Sequence, residues 1–333
     1  GLRMLAGGSY LDLFSIFNVS SGHIYNILND FLQWIVSTLE FPMVKWLRMR
    51  SWDRLEDLAN SFAERSNGMF YGVIGSLDGV AIRISSPNTL DPGNYYCRKG
   101  IYSLNVQAIC DCKKRFIWCY PSNKGSTHDS AAFQNSRLFS LLQECSSSLY
   151  DRGLFLVGDS AYNLTSFLLV PYSADSLRND VNGQRDAFNY YLSSSRIQIE
   201  CSFGELVRKW GILWRTLTFD LNKSTKIVQA TMLLHNFVIE RNNQLDDPET
   251  FSIDMDAVQQ QLTEQTGEPP RPIVVDNNEP RRVGRPSQEE ILLQQMGDNV
   301  RFHLTTKLAT YSMRRPLQHG IRYNSYGHIY LDG

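Results

Sequence analysis

Gly72-Val-Ile-Gly-Ser-Leu-Asp-Gly79 is the stretch on which the fold turns. Val73 and Ile74 favour a pleated, buried strand, and the run closes on an acid, Asp78, followed by a glycine. A second run of the same design, Leu154-Phe-Leu-Val-Gly-Asp-Ser-Ala-Tyr162, closes on Asp159. A third acid, Glu200, sits in the helix-like stretch Arg196-Ile-Gln-Ile-Glu-Cys-Ser-Phe-Gly-Glu-Leu-Val-Arg-Lys-Trp210. Its neighbours Ile199, Phe203, Leu206 and Trp210 recur at helical spacing and anchor the adjacent face, while Gly204 leaves room one turn beyond the carboxylate. An Asp that ends an apolar strand beside a small residue is expected at the rim of a sheet. Singly, each acid reads as a helix cap or a solvated charge. Brought together, the three form an all-oxygen site for a hard divalent ion, Mg²⁺ or Mn²⁺. Two such ions can clamp the attacking and leaving oxygens of a phosphodiester.

Composition sets the frame. The 333 residues suffice for two domains, or one with extensions. Hydrophobic residues make up 42% and aromatics 12%, ample for a core. The formal charge of -1 gives no global sign of a polyanion partner, so a nucleic-acid surface must be local. No apolar run of about 18 residues occurs, so no membrane span is expected. The chain starts at Gly1 without a basic, apolar leader, which does not support secretion. It reads as a fragment lacking its natural N-terminus, and an upstream segment could carry a targeting signal. Six cysteines include no Cys-x-x-Cys, and His128 and His235 are not spaced with them as zinc ligands. Cys110 and Cys112 would share a strand face, as a soft metal pair or, the preferred reading, as reduced, buried thiols of an intracellular protein.

Four segments follow along the chain. Residues 1–70 read as helical. Leu11, Leu13, Phe14 and Phe17 make one apolar face, and Ile24, Ile27, Leu28 and Leu32 make another. The turn Asn18-Val19-Ser20 between them gives a helix-turn-helix, with Ser20 or Ser21 as cap. The second helix carries no Lys or Arg, although His23, Asn26 and Asn29 could reach base edges. A packed helical unit that positions the core or a partner is the equal alternative. Residues 71–240 read as strands followed by alternating helix and strand, hence a mixed sheet with helices on its faces. Within them, Tyr102 to Asp111 and Arg115 to Tyr120 form a hairpin. A helix starts at Thr127-His-Asp-Ser130, with Asp129 as its cap and Leu138, Leu141 and Leu142 on its apolar side. Residues 241–280 form an acidic linker, with ten acids against Arg241 and Arg271 between Glu240 and Pro280. Residues 281–333 are a basic tail, eight Lys/Arg against four acids, with a helix expected from Gln288 to about Thr310. Pro280-Arg-Arg-Val-Gly-Arg-Pro286 has an AT-hook-like Gly-Arg-Pro core. Val283 stands where an AT-hook would have Arg, so a solvated linker is the preferred reading.

Asp129 is a fourth candidate metal ligand, since a capping carboxylate can still face a cation. His128 beside it could position water or phosphate, or simply pack. Basic side chains near the acids suit a polyanion: Arg98 and Lys99 before the hairpin, Lys124 before Gly125-Ser-Thr, and Arg196, Arg208 and Lys209 on the Glu200 helix. Arg196, one turn before Glu200, would either contact phosphate or form a salt bridge that orients Glu200. Such contacts give salt-dependent, largely sequence-neutral affinity.

The motifs, in order, resemble the PIF/Harbinger transposases and Harbinger transposase-derived nucleases, of the DDE superfamily of endonucleases. The resemblance runs from Leu2-Arg-Met-Leu-Ala-Gly-Gly8 to Leu234-His-Asn-Phe237. It includes Leu77-Asp-Gly79, Tyr96-Cys-Arg-Lys-Gly100, Asn105-Val-Gln-Ala-Ile-Cys-Asp111, Gly125-Ser-Thr-His-Asp-Ser130, Gly158-Asp-Ser-Ala-Tyr162 and Arg196-Ile-Gln-Ile-Glu-Cys-Ser-Phe-Gly204. It implies an RNase H-like core with Asp78, Asp159 and Glu200 as catalytic triad and Asp129 as a fourth metal ligand. It further implies action on DNA in the nucleus, with a Myb/SANT-like protein as partner; oligomerisation is also open. The expectation is a Mg²⁺- or Mn²⁺-dependent endonuclease or transposase, the released 3′-OH attacking target DNA in full transposition. The rivals are a domesticated DNA-binding or adaptor protein that no longer cuts and, less favoured, a metal phosphatase acting on small substrates.

Overall fold

The computed structural model describes residues 1–244, 286–315, 321–323 and 329–331. Nearly all of the acidic linker, and Gly284-Arg285 of the AT-hook-like core, lie outside the described residues.

Five strands build one mixed sheet: β1 (Val73–Arg83), β2 (Ser103–Cys110), β3 (Phe116–Lys124), β4 (Phe155–Val157) and β5 (Leu168–Leu169), in the order β3-β2-β1-β4-β5. β1 is central. It pairs antiparallel with β2, from Ser76↔Cys110 to Arg83↔Ser103, and parallel with β4, from Val73↔Phe155 to Ser76↔Val157. The β2–β3 hairpin is antiparallel and β4–β5 parallel. This five-stranded sheet flanked by helices fits a DDE endonuclease.

Helices precede the sheet: α1 (Leu2–Leu5), α2 (Tyr10–Phe17), α3 (Ser21–Thr38), α4 (Met43–Arg48) and α5 (Trp52–Ala63). Then come α6 (Asp129–Gln134), α7 (Arg137–Glu144), α8 (Ser146–Arg152), α9 (Ala174–Arg178), α10 (Gln184–Lys209), α11 (Leu221–Gln244) and α12 (Gln288–Thr310). Successive strand residues point to opposite faces. On one face Val80 and Ile82 of β1 and Val106 and Ala108 of β2 share a core with Ile199 and Phe203 of α10, Ile227 and Val228 of α11, and Ile24, Leu28, Leu32 and Ile35 of α3. On the other, Ile74, Leu77 and Ile109 pack with Met43, Leu55, Phe133, Leu138 and Leu142. The N-terminal helices thus cover both faces of the sheet.

The α2–α3 turn follows from its residues. Asn18 ends α2 in the left-handed conformation at φ 50°, and Ser20 caps α3 by accepting from the His23 amide. α2 buries none of its residues, leaving Leu11, Phe14, Ile16 and Phe17 exposed. α12 docks Leu293, Gly297, Leu304 and Leu308 into the core. A Cβ at Gly297 would lie 2.4 Å from the Thr165 carbonyl oxygen, so only glycine permits that approach.

Three local expectations are corrected. Asp78 does not end its strand: β1 continues through Val80-Ala-Ile-Arg83, and Asp78 lies mid-strand and buried rather than at the rim. Asp129 does not cap α6: His128 holds the cap position, and Asp129, first in the helix, is buried. Cys112 lies beyond the end of β2, so it shares no strand face with buried Cys110; all six cysteines are free thiols.

Candidate active site

Register alone brings the first two acids together. Ser76 pairs with Val157 at the end of the β1–β4 ladder, and two residues further along each chain stand Asp78 and Asp159. β4 stops at Val157, so the sheet opens there. Ser76 and Asp78 point to the face covered by α10. The Ser76 hydroxyl donates to the Ser195 carbonyl oxygen at 2.8 Å, fixing α10 one residue before Arg196. Arg196 Nη1 then lies 2.5 Å from Glu200 Oε1, one turn along the helix, and 3.7 Å from Asp78 Oδ2. One guanidinium therefore links Glu200 to the central strand.

Asp129 lies on the opposite face of β1 from Asp78, near enough for its charge to raise the pKa of both Asp78 and Asp159. Gly79 faces away from Asp78, and a Cβ there would lie 2.2 Å from Asp129 Oδ1 and 2.5 Å from Gln107 Nε2. That oxygen accepts from Asn105 Nδ2 at 2.9 Å and Gln107 Nε2 at 2.6 Å. The Tyr162 hydroxyl in turn donates to Gln107 Oε1 at 2.6 Å. This buried chain holds the carboxylate of Asp129 by its neighbours, as outer partners hold metal ligands elsewhere. Asn105, Gln107, Tyr162 and Ser76 carried no assigned role in the sequence. The signal was there in Asn105 and Gln107: two amides, two apart, on an otherwise apolar strand need partners on one face.

The electrostatics are those of crowded, buried carboxylates. Asp78 is 1% exposed; burial pushes its pKa well above the usual range, Asp159 adds to the rise, and Arg196 opposes it. Burial likewise pushes Asp159 up to about 6, against the opposing charge of Arg196 and the Ala161 amide, with Asp129 and Glu200 raising it further. Asp78 Oδ1 accepts from the Gly79 amide at 2.8 Å, whereas buried Oδ2 has no hydrogen-bond partner. An unpaired buried carboxylate oxygen is costly unless a cation answers it. Among the described residues, no three His, Cys, Asp or Glu side chains converge closely enough to hold one ion as they stand. The donors nevertheless fit a hard divalent cation: all are carboxylate oxygens, and Asp78 Oδ2 is ready to coordinate.

The basic candidates divide. Arg196 is at the acids. Arg98 lines a cleft with Ser126, Thr127, His128, Asp129 and Ala161. Its Nη2 lies 2.9 Å from His128 Nε2, a contact in which the guanidinium can only donate. Lys99 follows Arg98, and Lys124 is exposed at the end of β3. Arg208 and Lys209 end α10, about 12 Å beyond Glu200 along the axis, and are not brought to the acids. His23 and Asn26 are exposed on α3, which packs against α11.

Residues 77–236 match the sequence model of the DDE superfamily endonuclease family. "Putative nuclease HARBI1" of Rattus norvegicus is 30% identical over 175 residues, covering 51% of this chain and 46% of that protein. The protein of the same name in Xenopus laevis is 27% identical over 177 residues, 51% of this chain and 47% of its own length. "Protein ALP1-like" of Arabidopsis thaliana is 24% identical over 267 residues, 75% of this chain and 62% of its length. The chain spans about half the length of the nuclease-named relatives it matches. No solved structure matches significantly. The matched segment runs from Leu77, beside the first acid, to Asn236 and encloses Asp78, Asp129, Asp159 and Glu200, so over this segment the chain is similar to the DDE superfamily endonucleases and to these nuclease-named and ALP1-like relatives.

Proposed function

We propose that this chain is a divalent-metal-dependent DNA endonuclease of the Harbinger type, with an RNase H-like core and Asp78, Asp159 and Glu200 as its catalytic acids. The observation that carries the reading is Asp78 Oδ2, buried and without a hydrogen bond beside Asp159. DDE superfamily endonucleases use divalent metals, and Mg²⁺ or Mn²⁺ suits this donor set. When bound, such ions supply charge that acidifies the attacking water and stabilises the departing 3′-oxygen.

The chain's own residues prepare that chemistry. Asp78 and Asp159 present oxygen donors at the open end of the β1–β4 pair. Asp129, its Oδ1 tied to Asn105 and Gln107, is the fourth ligand of this proposal. Glu200, held by Arg196, closes the site from α10. Arg98 and His128 line the adjoining cleft, where a strand's phosphates would run, and Lys99 and Lys124 extend the basic edge. Helices α2 and α3 supply a helix-turn-helix-like unit; its lack of Lys and Arg favours DNA targeting with help from a Myb/SANT-like partner, and nuclear action follows from such a role.

A Mn²⁺-dependent duplex-cleavage assay tests the reading. Asp78→Asn and Glu200→Gln should abolish cleavage while retaining fold and DNA binding by anisotropy. Undiminished cleavage in either variant would refute the assignment. The second reading, a DNA-binding or adaptor protein that does not cut, draws on the guanidinium already seated between Asp78 and Glu200. DNA binding without any Mn²⁺ binding would favour it.

A further inference from the structure

Arg196 holds an unusual place for a positive charge in a site built for cations. Its side chain is 11% exposed, and one nitrogen spans Glu200 Oε1 at 2.5 Å and Asp78 Oδ2 at 3.7 Å. The helix carrying it cannot easily withdraw: Ser76 Oγ bonds the Ser195 carbonyl, and Ile199 and Phe203 are buried against the sheet. A desolvated guanidinium stays where its counter-charges are, because leaving them would strand buried charges without a partner. Asp78 and Asp159 are differently placed. They stand past the end of the β1–β4 ladder; Asp78 Oδ2 has no hydrogen-bond donor and meets Arg196 only at 3.7 Å, against the 2.5 Å pair with Glu200. The two sides of the acidic site are therefore unequal.

We propose that Arg196 is a resident cation that competes with metal for the Asp78–Glu200 side, so that the chain takes one divalent ion readily through Asp78 and Asp159 and a second only weakly. The inference rests on the metal-dependent reading above. It makes Arg196 a positioning residue that sets how many ions are bound. Arginine is suited to this, since its guanidinium stays charged when buried and is more weakly hydrated than a lysine ammonium.

Calorimetric titration with Mn²⁺ alone, at pH 8.5 and without DNA, tests it, with melting in EDTA as the measure of fold. In Arg196→Met the weaker Mn²⁺ event should tighten at least tenfold, as expected when a like charge a few ångströms from a cation is removed. The Mn²⁺-induced rise in Tm should also exceed that of the unmodified chain. A bridge that merely orients Glu200 would leave Mn²⁺ affinity unchanged or weaken it when lost, and either result overturns the proposal. Should Arg196→Met fail to fold in EDTA, Arg196→Gln, which also removes the charge but keeps hydrogen-bonding capacity, decides: severalfold tightening supports competition, and unchanged affinity overturns it. Because no DNA is present, tightening in a protein that never nicks DNA would sustain this inference while refuting the nuclease reading. Nicking with unaltered Mn²⁺ affinity would do the reverse.

Discussion

Gly79 has no room for a side chain, and that fact ties the Asp-Gly pair to chemistry. In Gly79→Ala the new methyl would press on Asp129 Oδ1 and Gln107 Nε2. Loss of roughly 1–3 kcal/mol of stability is expected, as in other overpacked sites, and urea denaturation measures it. Asp159 gives the opposite expectation. A carboxyl whose folded pKa is raised from 3.8 to about 6 leaves the folded state relatively less stable as pH climbs through that interval. Asp159→Asn should therefore stabilise the protein in EDTA at pH 7 by on the order of 2 kcal/mol, read as a higher Tm. A lower Tm would mean that the buried charge is already fully compensated. At this scale the acids were legible because each stood in a distinct local setting. Their supports were less so, since Ser76 and Tyr162 acquire partners only through contacts spanning 119 and 55 positions.

Elements show where local reading stops. The glycine after Asp78 suggests a strand end, yet β1 continues because Val80 and Ile82 have a core to enter. His128 takes the cap position of α6 because the Asp129 carboxylate is drawn to Asn105 and Gln107. The apolar stripe Ile199, Phe203, Leu206 and Trp210 is buried as its spacing implies. At the other end of the sheet, α12 leans on Thr165 through Gly297. Gly297→Ala should loosen α12, with hydrogen exchange faster across Gln288–Thr310 and little changed in β1 and β2. Unchanged exchange in α12 would show that the close approach is not what docks it. Asn236 braces the hairpin by accepting from the Phe116 amide and donating to its carbonyl oxygen, both at 2.7 Å. Asn236→Ala should cost roughly 1–3 kcal/mol by leaving that strand end unpaired, again checked by urea denaturation.

For the whole molecule, the spacings of 81 and 41 residues between Asp78, Asp159 and Glu200 could not show that the three meet. Pairing partners, strand order and the docking of α10 decide that, and none is a local property. The ordered motifs supplied the expectation instead, through resemblance. One consequence is global: because Asp159 titrates near 6, protons should compete with metal, and Mn²⁺ affinity should weaken on the order of tenfold per pH unit below that point. Asp159→Asn provides the most direct test of the acids as a cutting site, since it removes one charge without an obvious cost to the fold. The measurement is supercoiled-plasmid nicking in Mn²⁺, with EDTA as control. Nicking by the unmodified chain, abolished both by EDTA and by Asp159→Asn, is the expected result. Equal nicking by a folded Asp159→Asn would place the chemistry elsewhere.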